Sequence, residues 1–112
     1  MAKSLIFKPL GGGVRLSQRT ALERARLYVS NKKKKDFASL DQDTRAFLLY
    51  ILYDKFGFRP KDLIAFFPWS SSTVYNSIAR ANWLRKTMKK KWVESHEQEI
   101  LDYLLYQDRY LP

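Results

Sequence analysis

Four residues close together in the chain, Ser71, Ser72, Tyr75 and Asn76, carry the groups best suited to reading another molecule by hydrogen bonds. Spaced by three and four, they fall on adjoining positions of one helix surface if the segment is helical. Hydroxyls donate or accept, an asparagine amide does both at once, and a tyrosine joins an apolar ring to a hydroxyl. This is chemistry of recognition. No proton-transfer set accompanies it: Asp41, Asp43 and Asp54 are scattered on one segment without general acid/base placement. His96 is the single histidine, and Ser95, His96 and Glu97, as sequence neighbours, do not face one another on a helix. The stretch His96 to Ile100 is not the two-histidine helical zinc motif, and Gly11-Gly12-Gly13 is followed by no Gly-Lys-Ser/Thr, so it is not a phosphate-binding loop. Neither an enzyme, a metal site, a cofactor nor a small-molecule substrate is expected.

The elements that must hold these groups read as helices. Ala21, Leu22, Ala25, Leu27, Tyr28 and Val29 recur near helical spacing from Ser17 to about Ser30, and Lys32 to Lys35 form a polar connector. A second helix is expected from Ser39, where Ser39 and Gln42 have capping-box spacing, to about Phe56, stopping at Gly57. Its interior, Phe47 to Tyr53, is apolar nearly all round, as befits a central core helix or one that also contacts a second copy. Pro60 suits the first turn of a short helix to about Phe67, and Pro68 ends it. Ser70 or Ser71 then caps a longer helix through Val74, Ile78 and Ala81 to about Met88. A last helix, Val93 to Arg109, sets Ile100, Leu101, Leu104 and Leu105 on one side and its carboxylates elsewhere. Residues 1–16 read as a flexible, extended basic arm, in which Leu5, Ile6 and Phe7 could pair or pack, and 17–112 as a single helical domain. The expected fold is therefore all-α, a small bundle of about five helices with an extended N-terminal arm.

A chain of 112 residues has room for one core. Its 46% hydrophobic content and its seven Phe, seven Tyr and three Trp supply enough apolar surface for that core. With 21 Lys and Arg against 11 Asp and Glu the formal net charge is +10, which favours a polyanionic partner, nucleic acid first. The charge is uneven: residues 1–40 carry ten basic and two acidic groups, and the five cations of 85–91 precede a C-terminal stretch with five carboxylates. The absence of cysteine excludes disulfides and suits a reducing compartment, so a cytoplasmic, intracellular setting is expected. No apolar run reaches the roughly 20 residues of a membrane span, and the first residues lack the pattern of a secretory signal.

The segment from Arg59 to Leu84, with Ser72-Thr73-Val74-Tyr75 at its centre, resembles the helix-turn-helix of bacterial regulators, resolvases and transposases. The resemblance implies a wedge of Leu63, Ile64, Phe67, Trp69, Val74 and Ile78 between two helices. It implies base contacts from Ser71, Ser72, Tyr75 and Asn76, and phosphate contacts from Thr73 and Arg80. Two positions depart from the pattern: Ile64 stands where a small Ala is usual, and Pro68 stands at the turn Gly. Proline cannot adopt the φ > 0 conformation that such a glycine supplies, so the turn must be wider or shifted in register. Leu52 through Ala79 more weakly resembles the C-terminal DNA-binding domain of the bacterial replication initiator DnaA, whose turn is one residue longer. What both imply is a DNA-contact module, the initiator's ATPase being absent; the first resemblance further implies a major-groove reader of double-stranded DNA, a regulator of transcription, replication or recombination of phage or mobile-element type.

The basic flanks fit that expectation. Arg85, Lys86, Lys89, Lys90 and Lys91 would extend the recognition helix with a basic, phosphate-gripping end, or simply be solvated. Lys3, Lys8 and Arg15 in the arm and Lys32, Lys33, Lys34 and Lys35 in the connector are further candidates for DNA backbone contacts. A homodimer would use the C-terminal helix, where Tyr103, Tyr106 and Tyr110 suit an interface, or the central apolar helix; packing within the monomer is the alternative. Two rival functions remain: nonspecific DNA or RNA binding driven by charge and aromatics, and a structural or protein-interaction adaptor without nucleic-acid readout.

Overall fold

The computed structural model describes residues 4–7, 14–32 and 40–105. Two short strands, β1 (Ser4–Phe7) and β2 (Val14–Ser17), pair antiparallel with Ser4 opposite Ser17 and Phe7 opposite Val14. Within the expected extended arm, residues 4–7 and 14–16 thus lie in paired strands, Leu5, Ile6 and Phe7 among them, the pairing satisfying backbone groups that an isolated arm would leave to water. The all-α body follows: α1 (Gln18–Leu27), continued by a π-helical turn (Tyr28–Lys32), then α2 (Gln42–Asp54), α3 (Pro60–Phe66), α4 (Ser71–Thr87) and α5 (Lys90–Leu105).

The ends of α2 to α4 follow from single residues. At α2 the cap is Asp41, not the expected Ser39, which lies outside the described residues; its carboxylate accepts from Thr44 N at 3.0 Å and from Thr44 Oγ1 at 2.8 Å. A carboxylate here also complements the positive pole of the helix. The other end closes at Gly57, whose φ of 74° lets Phe58 N reach back to Leu52 O at 3.1 Å. Pro60 occupies the first turn of α3, and the Asp62 carboxylate accepts from Arg59 N at 3.0 Å. That backbone donor first, and the Arg59 guanidinium second, hold the Asp62 carboxyl below its ordinary pKa.

The helices enclose one apolar core in which α2 is central. Ala46, Phe47, Leu48, Leu49, Ile51 and Leu52 of α2 are all without exposure, surrounded by Ala21 and Ala25 of α1, Leu63 of α3, Val74 and Ala81 of α4, and Leu104 of α5. α5 begins at Lys90, three residues before the expected Val93, and residues 106–112 lie outside the described part. Its apolar stripe, Val93, Ile100, Tyr103, Leu104 and Leu105, is buried within the chain. Tyr103 packs edge-on against Tyr28 at 5.4 Å. The two apolar faces considered for a homodimer, those of α2 and α5, are therefore occupied internally; Tyr106 and Tyr110 lie outside the described residues. Among the described residues no helix is long and apolar enough to cross a membrane.

Candidate nucleic-acid interface

The turn that joins α3 to α4 is rebuilt without glycine. The residue before a proline is pushed to extended backbone by the proline ring. Phe67, at φ −94° and ψ 155°, accordingly ends α3, and its ring stacks on Trp69 at 5.0 Å. Ser70 then caps α4: its Oγ accepts from Thr73 N at 3.2 Å and donates to Thr73 Oγ1 at 3.0 Å. Leu63, Phe67, Val74 and Ile78 are buried between the helices, with Ile64 and Trp69 partly buried against them, so the expected wedge is assembled. Ile64 fits the small-residue position because it is only partly enclosed.

Behind this wedge, Val74, Ser77, Ile78, Ala81 and Leu84 form the buried stripe of α4. The opposite face is outward. Ser71, Ser72, Tyr75 and Asn76 are exposed, Tyr75 at 55%, and the same face continues by helical steps through Ala79 to Trp83 and Lys86. Trp83, 57% exposed, is a residue that sequence reasoning missed, although continuing the spacing of Ser72, Asn76 and Ala79 by four more residues reaches it. A solvent-facing tryptophan offers a broad apolar face with one N–H donor.

The expected phosphate contacts divide. Thr73 is half-buried beside its cap. Arg80 donates from Nε to Asp43 Oδ1 at 2.7 Å, which ties α4 to α2, and its side chain keeps 35% exposure. Arg85 turns toward the bundle: it donates to the Tyr50 hydroxyl, lies 4.9 Å from the centre of that ring, and pairs with Glu97 at 3.4 Å. This tie joins three helices, α2, α4 and α5. Lys86, Lys89, Lys90 and Lys91 are exposed. The basic end does not extend α4 as expected. α4 stops at Thr87, Met88 is extended at ψ 160°, and Lys90 and Lys91 open α5, the run carrying no glycine or proline to mark the break. Arg85 and Lys86 are in the last turn of α4, where cations complement the helix dipole, whereas Lys90 and Lys91 stand at the positive pole of α5, with no acidic residue in that turn. Of the remaining candidates, Arg15 falls in β2 and Lys32 ends the π-helical turn, while Lys3, Lys8, Lys33, Lys34 and Lys35 lie outside the described residues.

One flank of α4 faces α2 across a polar cleft lined by Gln42, Arg45, Thr73, Asn76, Ser77 and Arg80. Gln42 and Arg45 come from the start of α2, and the sequence offers no local signal that they meet α4. A second hollow is lined by Ser95, His96 and Glu99, but His96 Nδ1 faces Trp92 O at 2.9 Å and Glu99 accepts from the Tyr28 hydroxyl at 2.9 Å. Both of these titratable side chains thus have structural partners. Among the described residues no group of His, Asp or Glu is arranged to hold a metal ion. Comparison with known protein families, with curated proteins and with solved structures finds no match for this chain.

Proposed function

We propose that this protein is a sequence-specific double-stranded DNA binder, acting inside the cell in the control of transcription, replication or recombination, of the phage or mobile-element type. The observation that carries this reading is the division of α4. One face, Val74, Ile78, Ala81 and Leu84, is sealed against the core, and the other presents Ser72, Tyr75, Asn76 and Trp83 outward. A capped helix displayed in this way has the dimensions of the major groove, and its first turns carry hydroxyl and amide groups that discriminate base edges. The turn lysines support the reading. Lys90 and Lys91 at the start of α5 are placed against the local helix dipole, an intrinsic cost that a polyanion alongside would offset.

The test is fluorescence anisotropy with a random duplex pool over a salt series, followed by selection and sequencing of the bound fraction. Binding should weaken steeply with salt, at a log-log slope of roughly −0.9 per phosphate contact, and selection should enrich one motif. Asn76→Ala should then weaken the enriched site by about 1–3 kcal/mol while leaving random duplex nearly unaffected. Steep salt dependence without enrichment would make the protein a nonspecific binder, and no binding at moderate salt would overturn the proposal.

A further inference from the structure

The cleft between α2 and α4 has the chemistry of an anion seat. It offers about 140 Å³ of accessible space, room for a tetrahedral oxyanion. Two arginines from different helices line it, and the hydrogen bonds that hold their guanidiniums both come from Nε. Arg45 Nε donates to Ser77 Oγ at 3.0 Å, and Arg80 Nε donates to Asp43 Oδ1 at 2.7 Å. The terminal amines of both arginines keep no partner among the described residues. Asp43 pairs with Arg80 from outside the cleft, and the lining itself holds two arginines and no carboxylate. Arginine supplies planar donors of the kind that suits phosphate oxygens. Gln42 and Asn76 add amide donors at its rim.

We infer that this cleft seats one phosphate group, with Arg45 of α2 as the second guanidinium beside Arg80. The assignment rests on the reading of α4 as the DNA-facing helix. Asn76 lines the cleft and also belongs to the outward face, so a backbone phosphate in the seat lies one side chain from the base-reading positions. Phosphate contacts of this kind set register and orientation without carrying sequence information. A free phosphate would meet the same donors, and the experiment separates the two sources.

In the duplex arm, Arg45→Gln should weaken the selected site and random DNA alike, by about ten-fold, and lower the salt slope by about 1. Arg45→Lys should keep the slope. Because Arg45→Gln also removes the bond to Ser77, its fold is checked by thermal melting. If it does not fold, Gln42→Glu serves instead: it puts a carboxylate at the cleft mouth and leaves both arginine anchors intact, and it should weaken both DNAs by about ten-fold. Unchanged affinity and slope in the folded variant, with wild-type selectivity intact, would overturn the seat while leaving the DNA reading in place. In the second arm, inorganic phosphate is titrated into the whole protein while the Arg45 and Arg80 Nε–H resonances are followed by NMR. If wild-type protein binds no duplex, saturable shifts that vanish in the variant would keep the seat as a site for free phosphate and sink only the DNA reading. No duplex binding and no shifts would overturn the seat as well.

Discussion

α2 and α4 are neighbouring helices that share one core, and they are used in opposite ways. α2 is enclosed on nearly every side: Phe47, Leu48, Leu49, Ile51 and Leu52 have no exposed surface, and beyond its first turns only Tyr53 and Asp54 near its end are open. α4 buries a single stripe and leaves Tyr75 and Trp83 more than half exposed. A helix apolar all round is anchored by its surroundings, while one with a single apolar stripe presents the rest of its surface. The contrast separates a helix that holds the core from one whose outer face is open to a partner. Changes in α2 should act on folding, and changes on the outward face of α4 should act on binding.

The comparison would be broken most forcefully by a core truncation that leaves stability intact. Leu48→Ala, wholly enclosed in α2, should cost about 2–5 kcal/mol in urea unfolding, whereas Trp83→Ala should stay within about 0.5 kcal/mol of wild type. The same Trp83 variant should bind duplex more weakly if its ring packs against the ligand, and an unchanged anisotropy curve would confine the proposed reading surface to the first turns of α4. Next in size, Ser70→Ala removes the α4 cap and should lower stability by about 1 kcal/mol, measured by thermal melting. Replacing Lys90 and Lys91 by alanine sharpens the division further. The melting temperature should rise slightly, because two cations leave the positive end of α5, while the salt slope for DNA should fall by about 1 for each phosphate that these lysines neutralise. The smallest effect is expected from pH. Asp62 has its folded pKa depressed by Arg59, so its contribution is present at neutral pH and disappears as the pH falls through that value. Asp62→Asn should flatten the acid limb of a pH-dependent melt.

What can be read from the sequence are features that act through their own backbone. Pro60 starts a helix, Gly57 and Pro68 end helices, Ser70 caps one, and the apolar spacing of α4 identifies its inner face, all without knowledge of a neighbour. Features that depend on a partner are not legible. Arg80 and Arg85 read as free cations until Asp43, Tyr50 and Glu97, 37, 35 and 12 residues away in sequence, are brought beside them. Arg45 belongs to the α4 flank only through the packing of α2. The break between α4 and α5 is hidden because Met88 to Lys91 contains no residue with a distinctive backbone preference. The start of α2 reads as Ser39 because a Ser/Gln pair and an Asp/Thr pair stand only two residues apart. Leu5 to Phe7 read as able to pair, but their partners Val14 to Leu16 do not, because the pairing spans the Gly11 to Gly13 segment and no local turn signature specifies the register.

The join between the first and last helices bears on the order in which the molecule assembles. Arg24 of α1 donates to the Leu104 carbonyl of α5 at 2.6 Å, and the Tyr28 hydroxyl donates to Glu99. These contacts span about seventy to eighty positions of the chain. Contacts so distant in sequence form late, because a long loop must close before they return any energy. On the ribosome, α2, α3 and α4 emerge with their mutual contacts available, while Tyr28 and its neighbours in α1 wait for α5 to cover them. A chain stalled before α5 would therefore carry α4 on an unsealed core, a form recognisable to quality-control proteases.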